Sequence, residues 1–215
     1  MFTTWQAPDY APLAGRFVRL TPLDPERDAP ALYPIAHGDA AREAIWRFLP
    51  YGPFANPAEM ARWMRGDMLA GGDILPWAVR SAEDGAPLGM VSLLNIAVAH
   101  ARAEIGHVWF GAAAHRTKFN TETQFLLLGH LFDQKRYRRV EWKCDAENQA
   151  SRNAAARLGF TFEGRFRQHM VIKSRNRDTD WFAMTDKDWP LRKSNFERWL
   201  YTEENVSLQE LNCGL

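Results

Sequence analysis

The period of the apolar positions changes several times along the chain, and each change marks a predicted element. Residues 15–21, GRFVRLT, alternate Phe17 with polar neighbours and predict a strand. Asp24–His37 fits a helix with Pro25 in its first turn. Residues 46–57, WRFLPYGPFANP, carry three prolines and one glycine and predict a loop. Ala58–Ala70 returns to helical spacing through Met60, Trp63, Met64 and Met68. The period then drops to two. Trp77–Ser81 and Leu88–Leu94 flank a turn containing Asp84-Gly85, which predicts a hairpin, and Glu104–Phe110 follows as a third strand.

A polar connector, 111–121, leads to a helix predicted over Glu122–Arg136, with Thr121 and Gln124 at capping-box spacing. Arg139–Asp145 is a strand with Val140, Trp142 and Cys144 on one face and Glu141, Lys143 and Asp145 on the other. Asn148 can cap a helix that runs to Leu158 and closes at Gly159. Phe160–Val171 and Asp178–Asp186 predict a hairpin turning at Lys173–Arg177, and Asp188–Tyr201 a last helix. The acidic tail beyond 203 has few apolar residues and is expected to be loosely held. The element order is β α α β β β α β α β β with a tail helix. That is α+β, or mixed α/β, with a mainly antiparallel sheet, and not a doubly wound domain. The expected organisation is an arm over 1–13, a domain over 14–190, and a C-terminal helix and tail over 191–215.

Composition narrows the class. With 215 residues and 46% apolar content, the chain can bury a core without staples. A net charge of +1 speaks against a dedicated nucleic-acid binder. No apolar run approaches a membrane span, and the start lacks the basic and apolar regions of a secretory signal. Two cysteines, Cys144 and Cys213, make neither a disulfide framework nor a metal motif, so a cytoplasmic setting and no metal are expected. Nine tryptophans are an excess. Four of them, Trp77, Trp109, Trp142 and Trp181, fall on predicted strands and suit core or cleft walls.

Two segments carry a resemblance: HRTKFNTETQFLLLGHLF, and RRVEWKCDAENQASRNAAARLGFTFEGRFRQHM. They resemble the GCN5-related N-acetyltransferase (GNAT) superfamily, in its RimJ/RimL-like branch. One motif is the phosphate-binding turn that opens the central helix. The other is Asn148-Gln149-Ala150-Ser151 followed by Leu158-Gly159-Phe160. His115, Lys118 and Asn120 stand where the family has Gln/Arg, Gly and Gly/Ala.

The resemblance implies a sheet splayed between its fourth and fifth strands, with acetyl-CoA in the cleft. Its pyrophosphate would meet Arg116, Lys118, Phe119, Asn120 and Thr121 at a helix N-terminus. Its pantetheine arm would meet the backbone of Val108, Trp109 and Phe110 and the side chain of Asn148. Ser151 would return a proton to the departing thiolate; the superfamily's more common acid, a tyrosine, is replaced here by Ala155. A strand carboxylate, Glu104, would take the amine's proton, and His107 is the alternative base, with an ordinary pKa near 6.5. Trp46, Tyr51, Phe54 and Trp63 fall where the family builds its acceptor wall. Each residue also has a plainer reading as a cap, a cross-strand pair or core packing.

The expected activity is acetyl transfer from acetyl-CoA to a primary amine, on a protein N-terminus or a small molecule, by direct attack in a ternary complex. Two other readings stay open. One is a non-catalytic acyl-CoA-binding or regulatory module. The other is a ribosome- or RNA-associated protein using the basic run Arg165–Arg177. A homodimer fits the branch; no membrane partner is expected.

Overall fold

The computed structural model describes residues 4–202 and 206–213. In chain order the elements are β1 (Leu13–Ala14), β2 (Val18–Pro22), α1 (Pro25–Ala36), α2 (Ala40–Glu43), α3 (Pro57–Trp63), β3 (Leu75–Ser81), β4 (Pro87–Ala97) and β5 (Arg102–Phe110). There follow α4 (Lys118–Gly129), β6 (Arg139–Asp145), α5 (Gln149–Arg157), β7 (Thr161–Ile172), β8 (Arg175–Thr185), α6 (Trp189–Tyr201) and α7 (Leu208–Cys213). The eight strands are ordered β1-β2-β3-β4-β5-β6-β8-β7. The β5–β6 pairing is parallel, with Arg102–Glu104 opposite Arg139–Glu141. The pairings β1–β2, β2–β3, β3–β4, β6–β8 and β7–β8 are antiparallel. This is the mixed α/β, mostly antiparallel class that the element order predicts.

The chain forms two compact units, and it passes between them four times, at Pro8–Asp9, Asn95–Ile96, Glu104–Ile105 and Leu126–Leu127. One unit contains Asp9–Asn95 and Ile105–Leu126. Its core gathers Leu32, Trp46, Met60, Met64, Met68, Met90 and Trp109, all nearly excluded from solvent. The predicted helix over 58–70 is α3 followed by a π-helical turn, Met64–Leu69. The reason lies in the methionines. Met60, Met64 and Met68 recur every four residues, and an α-helix would rotate each about 40° past the last. The wider turn keeps Met64 and Met68 facing the core. The residues expected as a loop begin with a 3-10 turn, Ala44–Phe48, which buries Trp46.

In the same unit α4 starts four residues earlier than expected. Thr121 is not its cap; it lies inside the helix and is fully buried. The capping side chain is Thr117, whose Oγ1 accepts the Phe119 N–H at 3.2 Å and donates to the Ala114 carbonyl at 2.8 Å. The polar residues 118–121 look like the end of a connector because burial in this first stretch of α4 is unusual. Glu122 is fully buried, and its carboxylate accepts the backbone N–H groups of Arg16, Phe17 and Val18 at 2.9, 2.6 and 2.8 Å. Three amide donors offset the desolvation of that charge.

The other unit contains Met1–Pro8, Ile96–Glu104 and Leu127–Leu215. β6 and α5 fall where the sequence puts them, and Gly159 takes φ +91° just past α5. The β7–β8 connection is tighter than expected. Lys173 and Ser174, both left-handed, make the whole turn, and Arg175–Arg177 belong to β8. The tail is not loosely held over its described part. Ser207 and Glu210 cap each other and start α7. Asn212 then donates to the Arg157 carbonyl at 2.8 Å, and Asn195 donates to the Leu211 carbonyl at 2.9 Å. No helix among the described residues is long and apolar enough to cross a membrane.

Candidate active site

In the first unit, Trp46, Tyr51, Phe54, Trp63 and His107 form one aromatic cluster. Tyr51 lies 4.1 Å from Trp63, 6.0 Å from Trp46 and 5.4 Å from His107, measured between ring centroids. Trp109 joins through Trp46 at 5.3 Å, and its buried indole N–H has no hydrogen-bond partner among the described residues. The segment carrying Tyr51 is tightly built. Trp46 Nε1 donates to the Ala36 carbonyl at 2.9 Å. Gly52, at φ +62°, packs so closely on the Trp46 ring that a Cβ would lie 2.7 Å from it. His37 Nε2 accepts the Phe54 N–H at 2.9 Å, so the imidazole proton sits on Nδ1, which donates to the Tyr33 carbonyl at 3.0 Å.

His107 meets this cluster from the middle of β5 with φ +51°, a left-handed backbone rare for a residue with a side chain. Its Nδ1 is 2.9 Å from the Tyr51 hydroxyl, and its Nε2 has no partner among the described residues. Burial lowers the His107 pKa from 6.5 to about 4, so the ring is uncharged at neutral pH. Burial likewise pushes the Tyr51 phenol far up and keeps it protonated. The expectation of a base poised near neutrality used the unperturbed value, and burial removes that premise.

The same unit contains the start of α4. Lys118 Nζ and the Arg16 guanidinium lie over the Phe17 ring, at 5.1 and 5.4 Å from its centroid. Arg116 is exposed and takes the left-handed conformation, φ +59°, while Asn120 is helical. Lys118, Phe119 and Asn120 occupy the first turn, whose N–H groups a helix leaves without intrahelical partners. Thr117 takes one of them. Arg16 was not singled out in the sequence, because it precedes α4 by about a hundred residues.

In the second unit, Glu104 is buried and ion-paired to Lys143 Nζ at 2.7 Å. The parallel register puts Glu104 beside Glu141, and Lys143 reaches Glu141 as well, at 3.1 Å. Arg102 and Arg139 also pair with Glu141, at 3.1 and 2.9 Å, and Arg139 continues to Glu163. Burial alone would raise the Glu141 pKa, but the Arg139 hydrogen bond and Lys143 outweigh it and the net shift is downward. Lys143 also sits 4.0 Å from the Trp181 ring centroid. The strand alternation put Lys143 on the Glu141 face; its pairing with Glu104 needed the β5–β6 register.

At the start of α5, Asn148 Oδ1 accepts the Ser151 N–H at 3.1 Å, a helix cap, while its Nδ2 has no partner among the described residues. Ser151 Oγ accepts the Trp142 indole N–H at 3.0 Å. Cys144 is buried, and burial raises its thiol to about 11, so it is no nucleophile at neutral pH. The basic run is largely spent on internal pairs. Arg165 and Arg152 both bind the fully buried Asp180, and Arg177 donates to Thr179 Oγ1 at 3.2 Å. Val108 and Phe110 flank Trp109 at the end of β5, where Gly89 lies so close that a Cβ would be 2.1 Å from the Trp109 carbonyl oxygen.

Residues 18–161 match the family model described as an acetyltransferase (GNAT) domain. The chain belongs to that family. A GCN5-related N-acetyltransferase from Brucella melitensis is 36% identical, with a TM-score of 0.92, and the match covers 99% of this chain and 98% of that one. A probable acetyltransferase of the GNAT family from Chromobacterium violaceum ATCC 12472 is 40% identical over 88% of this chain and 93% of that one, with a TM-score of 0.82. YdaF of Bacillus subtilis (strain 168), named provisionally as a ribosomal N-acetyltransferase, is 26% identical over 106 residues. That match spans 49% of this chain and 57% of YdaF.

Proposed function

We propose that the protein transfers acetyl from acetyl-CoA to a primary amine, on a peptide N-terminus or a small molecule, by direct attack in a ternary complex. The observation that carries this reading is the start of α5 in a chain of the GNAT family. There Asn148 caps the helix with Oδ1 and keeps an amide donor, and Ser151, three residues on, has its oxygen held by an indole N–H.

The residues fit acetyl-CoA. Arg16, Arg116 and Lys118 gather cations at the start of a twelve-residue helix, suited to phosphates with the N–H groups of Lys118–Asn120. Thr121, being buried, contributes to the helix alone. The family resemblance assigns the pantetheine arm to the Asn148 Nδ2 in one unit and, separately, to the backbone of Val108–Phe110 in the other. Bound there, acetyl-CoA supplies an activated thioester. Glu104 takes the proton the amine must lose, since a neutral, weakly basic His107 is poorly suited to it. The Ser151 hydroxyl donates a proton to the departing sulfur. Cys144 takes no part as a covalent relay. The reading extends to a RimJ/RimL-like protein of the cytoplasm that self-associates as a homodimer.

Thiol release from acetyl-CoA, measured over peptides, amino acids, amino sugars and polyamines, tests the proposal. Amine-dependent release is expected. Saturable CoA binding with no release on any amine would make the protein a non-catalytic acyl-CoA-binding module.

A further inference from the structure

The Tyr51–His107 contact fixes more than the position of a ring. The backbone at His107 is left-handed, a conformation that costs on the order of 1 kcal/mol for a residue with a side chain and persists where the surroundings over-determine it. The surroundings here are aromatic. Tyr51 packs at a tilt on Trp63, and its segment is fastened by Gly52 on Trp46 and by His37. The result is one short polar contact, Tyr51 Oη to His107 Nδ1 at 2.9 Å, and one ring nitrogen, Nε2, with no partner among the described residues. Nε2 is also absent from the fully sealed, unsatisfied polar atoms of the described residues.

A phenol is a far better hydrogen-bond donor than acceptor, and a neutral imidazole nitrogen is a good acceptor. We propose that Tyr51 donates its hydroxyl proton to His107 Nδ1 and thereby holds the imidazole as the Nε2–H tautomer, an N–H donor offered to an oxygen of the acceptor substrate. Resting on the acetyl-transfer reading, this names the acceptor class: an amine bearing a carbonyl or hydroxyl oxygen close to the nitrogen. Tyr51 is then a positioning residue and His107 a specificity-determining one. Burial that favours an uncharged ring agrees with donation rather than proton uptake.

Two measurements decide it. Two-bond ¹H–¹⁵N correlation spectra of histidine-labelled protein at pH 7 read the tautomer without any need for activity. A single Nε2–H form of His107 is expected, and a mixture of tautomers in Tyr51→Phe. An Nδ1–H form, a doubly protonated ring, or an unchanged signal in Tyr51→Phe overturns the proposal; if that variant does not fold, the wild-type spectrum decides.

The second measurement is thiol release with phenylalaninamide and with phenethylamine at equal free-base concentration. The amide is expected to show about tenfold higher kcat/KM, the size of one hydrogen bond. That preference is expected to vanish in His107→Gly, which accepts the left-handed backbone but has no donor. Equal turnover of the two amines by the wild type overturns the oxygen-reading role. Turnover of some other amine but neither of these does the same. No turnover with any amine overturns the acetyl-transfer reading instead, and the spectrum still decides the Tyr51–His107 pair.

Discussion

Lys143 holds Glu104 at 2.7 Å and reaches Glu141, the residue beside Glu104 in the parallel register, at 3.1 Å. One ammonium thus separates two buried carboxylates that the backbone brings side by side. Removing it would leave both without that counter-charge in a site nearly closed to water. Lys143→Met is expected to lose about 2–4 kcal/mol of stability, with Lys143→Arg losing less than half as much. Urea unfolding of the two variants checks this. Equal losses would mean that the position needs its shape and not its charge. If Glu104 is the base, its replacement by Gln should also flatten the basic limb of the amine pH profile.

Glu122 and Gly15 make a second coupled pair. A Cβ on Gly15 would lie 2.5 Å from the Glu122 carboxyl carbon, which is itself pinned by three backbone N–H groups. Gly15→Ala should cost about 2 kcal/mol or more, because the carboxylate can yield only by giving up those hydrogen bonds. Glu122→Gln should cost at least as much, since an amide supplies one acceptor oxygen where two are used. Thermal melts with both variants settle the point; a change below about 0.5 kcal/mol in Gly15→Ala would show that the two segments separate freely.

Ser151 and Trp142 are predicted to act together. Ser151→Ala should lower kcat more than it raises KM for acetyl-CoA, if the hydroxyl is the proton donor. Trp142→Phe keeps most of the packing and removes the N–H that Ser151 accepts, so it should show the same split in weaker form. Asn148→Ala should raise KM for acetyl-CoA and lose about 1 kcal/mol with the helix cap. Steady-state kinetics with a working amine would distinguish the three, and a purely structural Ser151 would show a stability change with kcat intact.

His107 links stability to pH. Its folded pKa, about 4, lies below the ordinary 6.5, so between these values the unfolded chain binds the proton more readily. The stabilisation is therefore full above pH 6.5 and is lost as the pH falls toward 4. Its upper size is about 3 kcal/mol, from roughly 1.4 kcal/mol for each tenfold loss of proton affinity. His107→Asn, which tolerates the left-handed backbone, should lose less stability than the wild type between pH 7 and pH 4. Parallel acid-dependence curves would show that His107 is not buried as an uncharged ring.

The sequence was most legible where burial and polarity agreed. β6 alternates cleanly and matches its predicted bounds, and Asn148 and Gly159 bracket α5 as expected. It misled where polar side chains are buried and satisfied internally. Polar Lys118, Asn120 and Thr121 made the first turn of α4 look like the end of a connector, with Thr121 at the cap position that Thr117 fills. α7 had a readable signal, Ser207 and Glu210 at capping-box spacing, hidden in a stretch judged by its acidity and its few apolar residues. For the candidate site, the residue types were visible but their partners were not. Glu104 needed Lys143 through a strand register, Ser151 needed Trp142, and Tyr51 needed a histidine that lies far along the chain. The positive φ at His107 and Arg116 has no sequence signature, since neither residue favours that conformation.

The division of the chain has a consequence during synthesis. The core around Trp46 belongs to a unit built from Asp9–Asn95 and Ile105–Leu126, so it is not a continuous stretch of sequence. Trp109 emerges from the ribosome roughly sixty residues after Trp46, several seconds later at about 5–20 residues per second. Until then Trp46, Met60 and Met64 lack one wall of their core, and Glu122 has yet to arrive to take up the amides of Arg16–Val18. The nascent chain thus carries apolar surface unsealed in the segment that later lines the aromatic cluster. Truncations ending between Asn95 and Leu126 should therefore aggregate rather than yield a soluble half.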